Sequence, residues 1–413
     1  MSKERIPNGD NSGLAQREIK TVAGMPEYSN IEKAYYSELG EKVGNAANYY
    51  GNGEVLYSNK NALVDDIESP IDRERLNGMT SRQEARLNDL IWKLSELYGK
   101  RKGRSLCPLL ENAVEAGYGW GYGCDYTGYI RGLSENEEFY GFTHWYQYAM
   151  ERYAREEFLP RARAYEKKYI SDVQALIEGG LLPEESEWKL QQFRDYKLKY
   201  TIVDEVKEQD NAGMCYYNPE SDSTITYNIS YGLDDDPHSF DDNVSDFEKI
   251  LCHENTHRIV VSLFDKVIGS ENSVHNNNYK ESVCGNDPEN KEIVTEADRI
   301  FREGTTEWLS RIISGATTVD APIDDEYGSY HVERRVLQYL LNEGDKKINP
   351  ATWFKVCQDN AVDKIEDRAG RKAVMSALFE AFPSCKTELD VTKLINERFN
   401  WYDFQIKKEA KKA

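Results

Sequence analysis

Residues 249–261, KILCHENTHRIVV, carry two histidines four positions apart inside an apolar run. On a helix, His253 and His257 would lie one turn apart on the same face, and two imidazoles at that spacing can both bind one Zn²⁺ ion. Glu254 stands where a carboxylate can hold a water molecule beside the metal and accept its proton. The alternative is a pair of core histidines satisfied by backbone carbonyls, because unpartnered buried polar groups are costly. The pattern therefore predicts a metal site with a general base.

The residues just before this run predict the start of a helix. Ser245 and Glu248 in SDFE have the spacing of a capping box, in which each side chain binds the other's backbone N–H. We expect the helix to begin near Asp246 and to continue to about Val267.

A third ligand is needed, because catalytic zinc ions usually have three protein ligands and one open position. The continuation HENTHRIVVSLF lacks the Gly and the third His of the HExxHxxGxxH pattern, and His275 lies in an Asn-rich stretch with nothing to orient it. Residues 295–315, TEADRIFREGTTEWLSRIISG, have helical spacing and offer Glu303. Gly304 is costly inside a helix, which indicates close approach of a neighbouring helix.

The two segments together resemble those of the gluzincin zinc metallopeptidases. HENTH at 253–257 is followed by FREGTTEWLS at 301–310, and CYYNPESDSTITYNI at 215–229 is similar to the strands that precede HExxH in zincin folds. The resemblance covers roughly residues 210–340. It implies a zinc ion held by His253, His257 and Glu303. It also implies that Glu254 is the general base and that Glu307 orients a histidine ring.

The resemblance also implies a Tyr or His that stabilises the transition-state oxyanion. The segment DEYGSYHVERRVLQYLL offers Tyr327, Tyr330 and His331. We prefer Tyr330, with His331 second. For each of them, the alternative is an ordinary place on a helix surface.

Composition narrows the classes of partner. The chain has 413 residues and a net charge of -21, which disfavours binding to nucleic acid and to anionic membranes. Seven widely spaced cysteines without a CxxC pair are typical of free thiols. The N-terminus has no signal peptide and no apolar run is long enough to span a membrane. We expect a cytoplasmic protein, or one secreted without a cleavable signal.

The patterns predict an α+β, mostly helical fold. Residues 1–79 are expected to form a polar, poorly ordered leader, and residues 80–200 a helical region. Residues 201–413 are expected to form a zincin-like metallopeptidase domain, with a small antiparallel sheet or hairpin at 212–232, the active-site helix and a helical C-terminal lobe.

Zinc-dependent hydrolysis of peptide bonds by an endopeptidase is the predicted function, with a protein or peptide as substrate. One alternative is a catalytically inactive, zincin-fold binding protein, although such a protein has no chemical need for Glu254. Another is a translocated effector or toxin protease. A third is an all-helical scaffold in which the histidines belong to the core.

Overall fold

The computed structural model consists mostly of helices with a small sheet, which confirms a mostly helical α+β chain. No helix in the described part of the chain is long and apolar enough to cross a membrane. The described residues are 64–68, 71, 73–98, 100–101, 104–105, 113, 115–118, 125–133, 137–204, 212–216, 222–229, 246–264, 287–323, 330–358 and 369–411.

The described residues form two compact units, each discontinuous in sequence. One contains the chain up to Arg163 together with residues 199–212 and 226–234, and the other contains residues 164–198, 213–225 and 235–413. All the candidate metal ligands belong to the second of these units. The predicted domain boundaries after residues 79 and 200 stay predictions.

Most of the described residues between 73 and 195 lie in helices. Their apolar positions recur at helical spacing, so each helix buries one face; in Ser81–Tyr98, for example, Leu87, Leu90, Ile91 and Leu94 are almost completely buried. The helices are α1 (Arg73–Gly78), α2 (Ser81–Tyr98), α3 (Tyr126–Gly132), α4 (Glu137–Tyr153), a π-helical turn (Ala154–Phe158), α5 (Leu159–Glu178), a 3₁₀ turn (Glu184–Ser186) and α6 (Glu187–Asp195).

Four strands form one sheet in the order β1-β4-β6-β5, and a separate two-stranded ladder pairs β2 with β3. The strands are β1 (Val64–Glu68), β2 (Lys100–Arg101), β3 (Arg104–Ser105), β4 (Leu198–Val203), β5 (Gly213–Tyr216) and β6 (Ser223–Asn228). In β6, Ser223, Ile225 and Tyr227 are buried and the two intervening threonines are half-buried, as expected for a strand with one face packed. The two predicted strands are confirmed as neighbours in the sheet, β5 and β6, and the predicted turn between them lies outside the described residues.

The sheet extends beyond the hairpin predicted at 212–232, because β1 and β4 also belong to it and run parallel, with Ile67 opposite Ile202 and Glu68 opposite Val203. Parallel neighbours need a long crossover connection, and the helices between residues 73 and 195 supply one. Strand β1 and helix α1 both lie before residue 80, within the segment predicted as a leader.

Burial and an ion pair hold helix α1 in place. Leu76 of α1 is fully buried, and Arg75 makes a two-pronged ion pair with Asp204, which also accepts a hydrogen bond from Tyr146 Oη at 2.7 Å. These contacts lie far apart in the sequence, so periodicity within the leader does not reveal them. Residues 1–63 lie outside the described part of the chain.

The second unit contains the helices of the candidate site. They are α7 (Asp246–Thr256), α8 (Pro288–Ile313), α9 (His331–Asn342), α10 (Pro350–Phe354), a 3₁₀ turn (Lys355–Gln358), α11 (Ala369–Ala381) and α12 (Glu388–Ala410). Helix α8 packs against α7, α9 and α12. The predicted helical C-terminal region is confirmed.

Gly304 allows the close approach that the sequence indicates. A Cβ atom built at this position would lie 2.9 Å from the backbone oxygen of Glu333 on α9, which is closer than packed atoms tolerate. The helix that comes close is therefore α9, on the side of α8 next to Glu303.

Helix α7 is shorter than the sequence predicts, ending at Thr256 rather than near Val267. The amides of Arg258 and Ile259 bond to carbonyls three residues back, at 3.0 and 2.9 Å, which tightens the chain into a turn. The β-branched run that begins at Ile259 disfavours further helix. His257 N still donates to His253 O, at 3.2 Å, so the two imidazoles keep their helical relationship.

Candidate metal centre

Helix α7 is fixed in place by contacts on the sides that carry no histidine. Tyr169 Oη donates to Thr256 Oγ1 at 3.1 Å, and Cys252 Sγ donates to Ser310 O of α8 at 3.2 Å. The guanidinium of the fully buried Arg258 stacks on the ring of Phe193, 3.8 Å from its centroid. These contacts hold the histidine face of α7 against α8.

Helix α8 is anchored on the side opposite the histidines. Trp353 Nε1 donates to Thr305 Oγ1 at 3.0 Å, and the Trp353 ring packs on Phe301 with centroids 4.9 Å apart. Trp308 packs similarly on Phe354, at 4.8 Å. This packing directs Glu303 and Glu307 towards α7.

Three side-chain atoms converge where the two helices meet. His253 Nε2 lies 3.1 Å from His257 Nε2, and Glu303 Oε2 lies 3.4 and 3.3 Å from these two nitrogens respectively. Ligands about 2.0–2.1 Å from a tetrahedral zinc ion stand about 3.3–3.4 Å from one another. The three atoms therefore form one face of a tetrahedron of the size that zinc requires. They lie close enough together to bind one metal ion.

The other nitrogen of each imidazole faces an oxygen atom. His253 Nδ1 lies 2.9 Å from Glu307 Oε2, and Arg311 Nε donates to the second Glu307 oxygen at 2.9 Å. His257 Nδ1 lies 3.2 Å from Thr306 Oγ1. Such partners fix the tautomer that leaves Nε2 free for a metal. The expected orienting contact from Glu307 is confirmed.

The charges in the cluster favour a cation at its centre. Burial lowers the pKa of His253, but Glu303 and Glu307 outweigh it and hold the pKa well above its usual range. Burial raises the pKa of both glutamates, yet the two histidines hold that of Glu303 well below its usual range. His253 and Arg311 likewise lower the pKa of Glu307 to about 2. Both carboxylates therefore stay ionised.

A buried oxygen atom tests whether a metal fits. Glu303 Oε2 is buried and accepts no hydrogen bond in the described part of the chain, which is costly for an ionised carboxylate. A divalent cation at the centre of the three atoms would satisfy it. Two imidazole nitrogens and one carboxylate oxygen are ligands that zinc accepts in open, catalytic sites. The residues present fit the ion.

Glu254 lies next to this group but takes no part in it. Its side chain is almost completely buried, and its Oε2 atom has no hydrogen-bond partner within the described residues. Burial raises the pKa of Glu254, although the two histidines partly offset this. A carboxyl group with a raised pKa and a free oxygen is suited to accept and return a proton near neutral pH.

Gly213 on β5 is part of this site, although sequence reasoning missed it. A Cβ atom at Gly213 would lie 2.9 Å from Glu254 Oε1 and 2.8 Å from its Cγ. Only glycine lets β5 pass so close to the carboxylate. The signal in the sequence was a glycine directly before the predicted MCYY strand, where glycine often marks close backbone approach.

Tyr330, the preferred candidate for the oxyanion donor, lies against the candidate metal centre. Its ring stacks on the His253 imidazole, with centroids 5.1 Å apart and planes 5° apart. Tyr330 caps α9 in the left-handed conformation, with φ 55°, and such backbone strain is concentrated at functional sites. His331 is the first residue of α9 and does not belong to the metal-binding group. Tyr327 and His275 lie outside the described residues.

Comparisons with known proteins give no assignment. No family model, curated protein or solved structure matches the chain. The geometry of the site therefore has to support any proposed function.

Replacing Glu307 with alanine should weaken zinc binding by about 10- to 100-fold, because His253 then loses the partner that fixes its ring. The measurement is a competition titration against a chelator of known affinity. Glu296→Ala is the matched control, since Glu296 lies on the same helix and, among the described residues, pairs with the half-buried Arg299 at 2.8 Å. Equal affinities in the two variants would show that the Glu307 contact does not support the metal.

Zinc affinity should also fall as the pH is lowered, beginning above the ordinary histidine pKa of about 6.5. The pKa of His253 in the metal-free protein is raised, so protons compete with the ion at a higher pH than for an isolated imidazole. The same titration, repeated between pH 5 and 9, measures this. Affinity that stays constant down to pH 6 would contradict the expectation. In Glu307→Ala the decline should begin at a lower pH, because one of the raising contacts is gone.

Proposed function

We propose that the protein is a zinc-dependent peptidase that hydrolyses peptide bonds in proteins or peptides, with Glu254 as general base. The observation that carries the proposal is the convergence of His253 Nε2, His257 Nε2 and Glu303 Oε2 at tetrahedral spacing. Beside these atoms stands a buried carboxyl group whose pKa is raised. A purely structural histidine pair requires neither the unsatisfied Glu303 oxygen nor the free Glu254 oxygen.

The site divides the work between the ion and the chain. When bound, zinc supplies a Lewis acid that lowers the pKa of water to about 7 and stabilises negative charge on oxygen. His253, His257 and Glu303 hold the ion, while Glu307 and Thr306 hold the two imidazole rings.

Proton transfer falls to Glu254. Its free Oε2 atom would accept a proton from water as that water attacks the peptide carbonyl. The raised pKa makes the carboxylate a stronger base for this step. The carboxylic acid so formed would then give the proton to the leaving amine. Gly213 keeps the backbone of β5 beside this step.

Tyr330 would donate a hydrogen bond to the oxyanion. Burial and the neighbouring Glu303 and Glu254 raise the pKa of its hydroxyl, so the hydroxyl stays protonated and can donate. Tyr330→Phe keeps the ring that stacks on His253, and we expect it to retain zinc while kcat falls roughly 100-fold. Unchanged kcat in a zinc-loaded Tyr330→Phe protein would remove Tyr330 from the mechanism.

The experiment that tests the function is cleavage of a mixed peptide library by the purified protein, with and without a zinc chelator, followed by mass spectrometry of the products. We expect new termini that vanish with the chelator and return when zinc is added. A zinc-loaded protein that cleaves no member would contradict the proposal and leave a zinc-binding protein without turnover.

A further inference from the structure

Helix α8 carries three arginines, and within the described residues two of them lie at hydrogen-bonding distance from a carboxylate. Arg299 pairs with Glu296 at 2.8 Å and with Glu333 at 3.1 Å, and Arg311 pairs with Glu307 at 2.9 Å. In the described part of the chain, the nearest carboxylate oxygen to Arg302 is 3.7 Å away, and its Nε atom is buried without a hydrogen-bond partner. Arg302 therefore has donors to spare.

This arginine stands at the metal centre. The 3.7 Å contact is to Glu303 Oε1, whereas Glu303 Oε2 is the oxygen that meets the two histidines. Its side chain is 23% exposed, so solvent and a ligand can reach it. Burial and Glu254 raise the pKa of the Cys215 thiol on β5, and Arg258 and then Arg302 act in the opposite direction.

We propose that Arg302 determines substrate specificity by binding a carboxylate of the peptide next to the bond that is cleaved. This inference rests on the proposed peptidase activity and adds the class of substrate: peptides with an acidic side chain or a free C-terminal carboxylate near that bond. A guanidinium presents a planar pair of N–H donors that matches a carboxylate in two parallel hydrogen bonds.

The negative charge around the reaction centre makes a preference for acidic peptides a clear sign of Arg302. Glu254, Glu303 and Glu307 surround the reaction centre, and the chain carries a net charge of -21. Without a dedicated cation, such a site would repel acidic peptides and favour basic ones. A preference for acidic substrates would therefore be unexpected on overall charge and would follow from Arg302.

The test uses matched peptide pairs built on a sequence that the protein cleaves. One arm compares glutamate with glutamine at each position flanking the cleaved bond, and the other compares a free C-terminus with a C-terminal amide. The ratio of kcat/KM values, acid over amide, is measured for each pair. We expect one arm to show a ratio of roughly 10 to 100, the usual strength of a hydrogen bond to a charged group. The arm that shows it identifies the source of the carboxylate.

Variants of Arg302 distinguish a role in binding the substrate from a role in holding Glu303 in place. In Arg302→Gln the acid-over-amide ratio should fall to one or below while zinc content is retained, because the acidic site then repels the carboxylate. Arg302→Lys should keep part of the ratio because the charge remains. Lys291→Gln is the control, since it makes the same charge change on the same helix, about 16 Å away along the axis.

Three outcomes would overturn the inference. They are a wild-type ratio near one in both arms, an unchanged ratio in Arg302→Gln, and a loss of zinc from Arg302→Gln with equal effects on acid and amide. A wild-type protein that cleaves no peptide would instead overturn the proposed function. The wild-type comparison stands even if a variant does not fold.

Discussion

Glu254→Gln is expected to retain one zinc ion per chain and to lose about 10²- to 10⁴-fold in kcat, the usual contribution of a general base. Glutamine has the same shape as glutamate but cannot accept a proton from water. The substitution should leave the fold intact, because burial already disfavours the charged form of Glu254. Zinc content and peptide hydrolysis, measured on the same preparation, check both halves of the expectation.

Glu248→Gln is the matched control for this variant. It makes the same change on the same helix α7, and Glu248 is absent from the group of converging ligands. Its activity should equal that of the wild type. Full activity in zinc-loaded Glu254→Gln would show that another group takes the proton, and loss of zinc would place Glu254 among the ligands.

Glu303→Ala is expected to lose zinc and, with it, all hydrolysis. Structural zinc sites with four ligands bind with about 10–16 kcal/mol, so one ligand accounts for roughly 2.5–4 kcal/mol, or roughly a 100- to 1,000-fold loss of affinity. The variant also leaves two imidazoles facing each other at 3.1 Å without the carboxylate between them. Zinc affinity by chelator competition measures the effect.

Glu292→Ala is the control for Glu303→Ala, because its side chain is exposed on the same helix. It should bind zinc like the wild type. If Glu303→Ala also binds zinc with wild-type affinity, the third ligand is a residue other than Glu303.

The site could be predicted to a large extent because its rules are local. The four-residue spacing of His253 and His257 places both rings on one face wherever a helix forms. Gly304 marked the close approach of another helix through its cost in a helix interior, and the structure confirms that approach. Glu307 lies one turn beyond Glu303, so the orienting contact follows from the same helical spacing.

The remainder depended on contacts between distant parts of the chain. Strand β1 pairs in parallel with β4, and no pattern within residues 64–68 specifies that partner. The apolar run continues beyond the end of α7 and favours a longer helix, whereas its β-branched residues disfavour one. Periodicity alone does not show which of the two effects is larger. The left-handed backbone of Tyr330 and the spare donors of Arg302 become visible only when α8 and α9 are in place.

The most direct test of the central claim is the metal content of the purified chain together with X-ray absorption at the zinc edge. We predict one zinc ion per chain, with only nitrogen and oxygen neighbours at about 2.0–2.1 Å and the scattering pattern of two imidazoles. A chain that remains free of zinc after loading, or a sulfur atom bound to the ion, would contradict a site built from His253, His257 and Glu303.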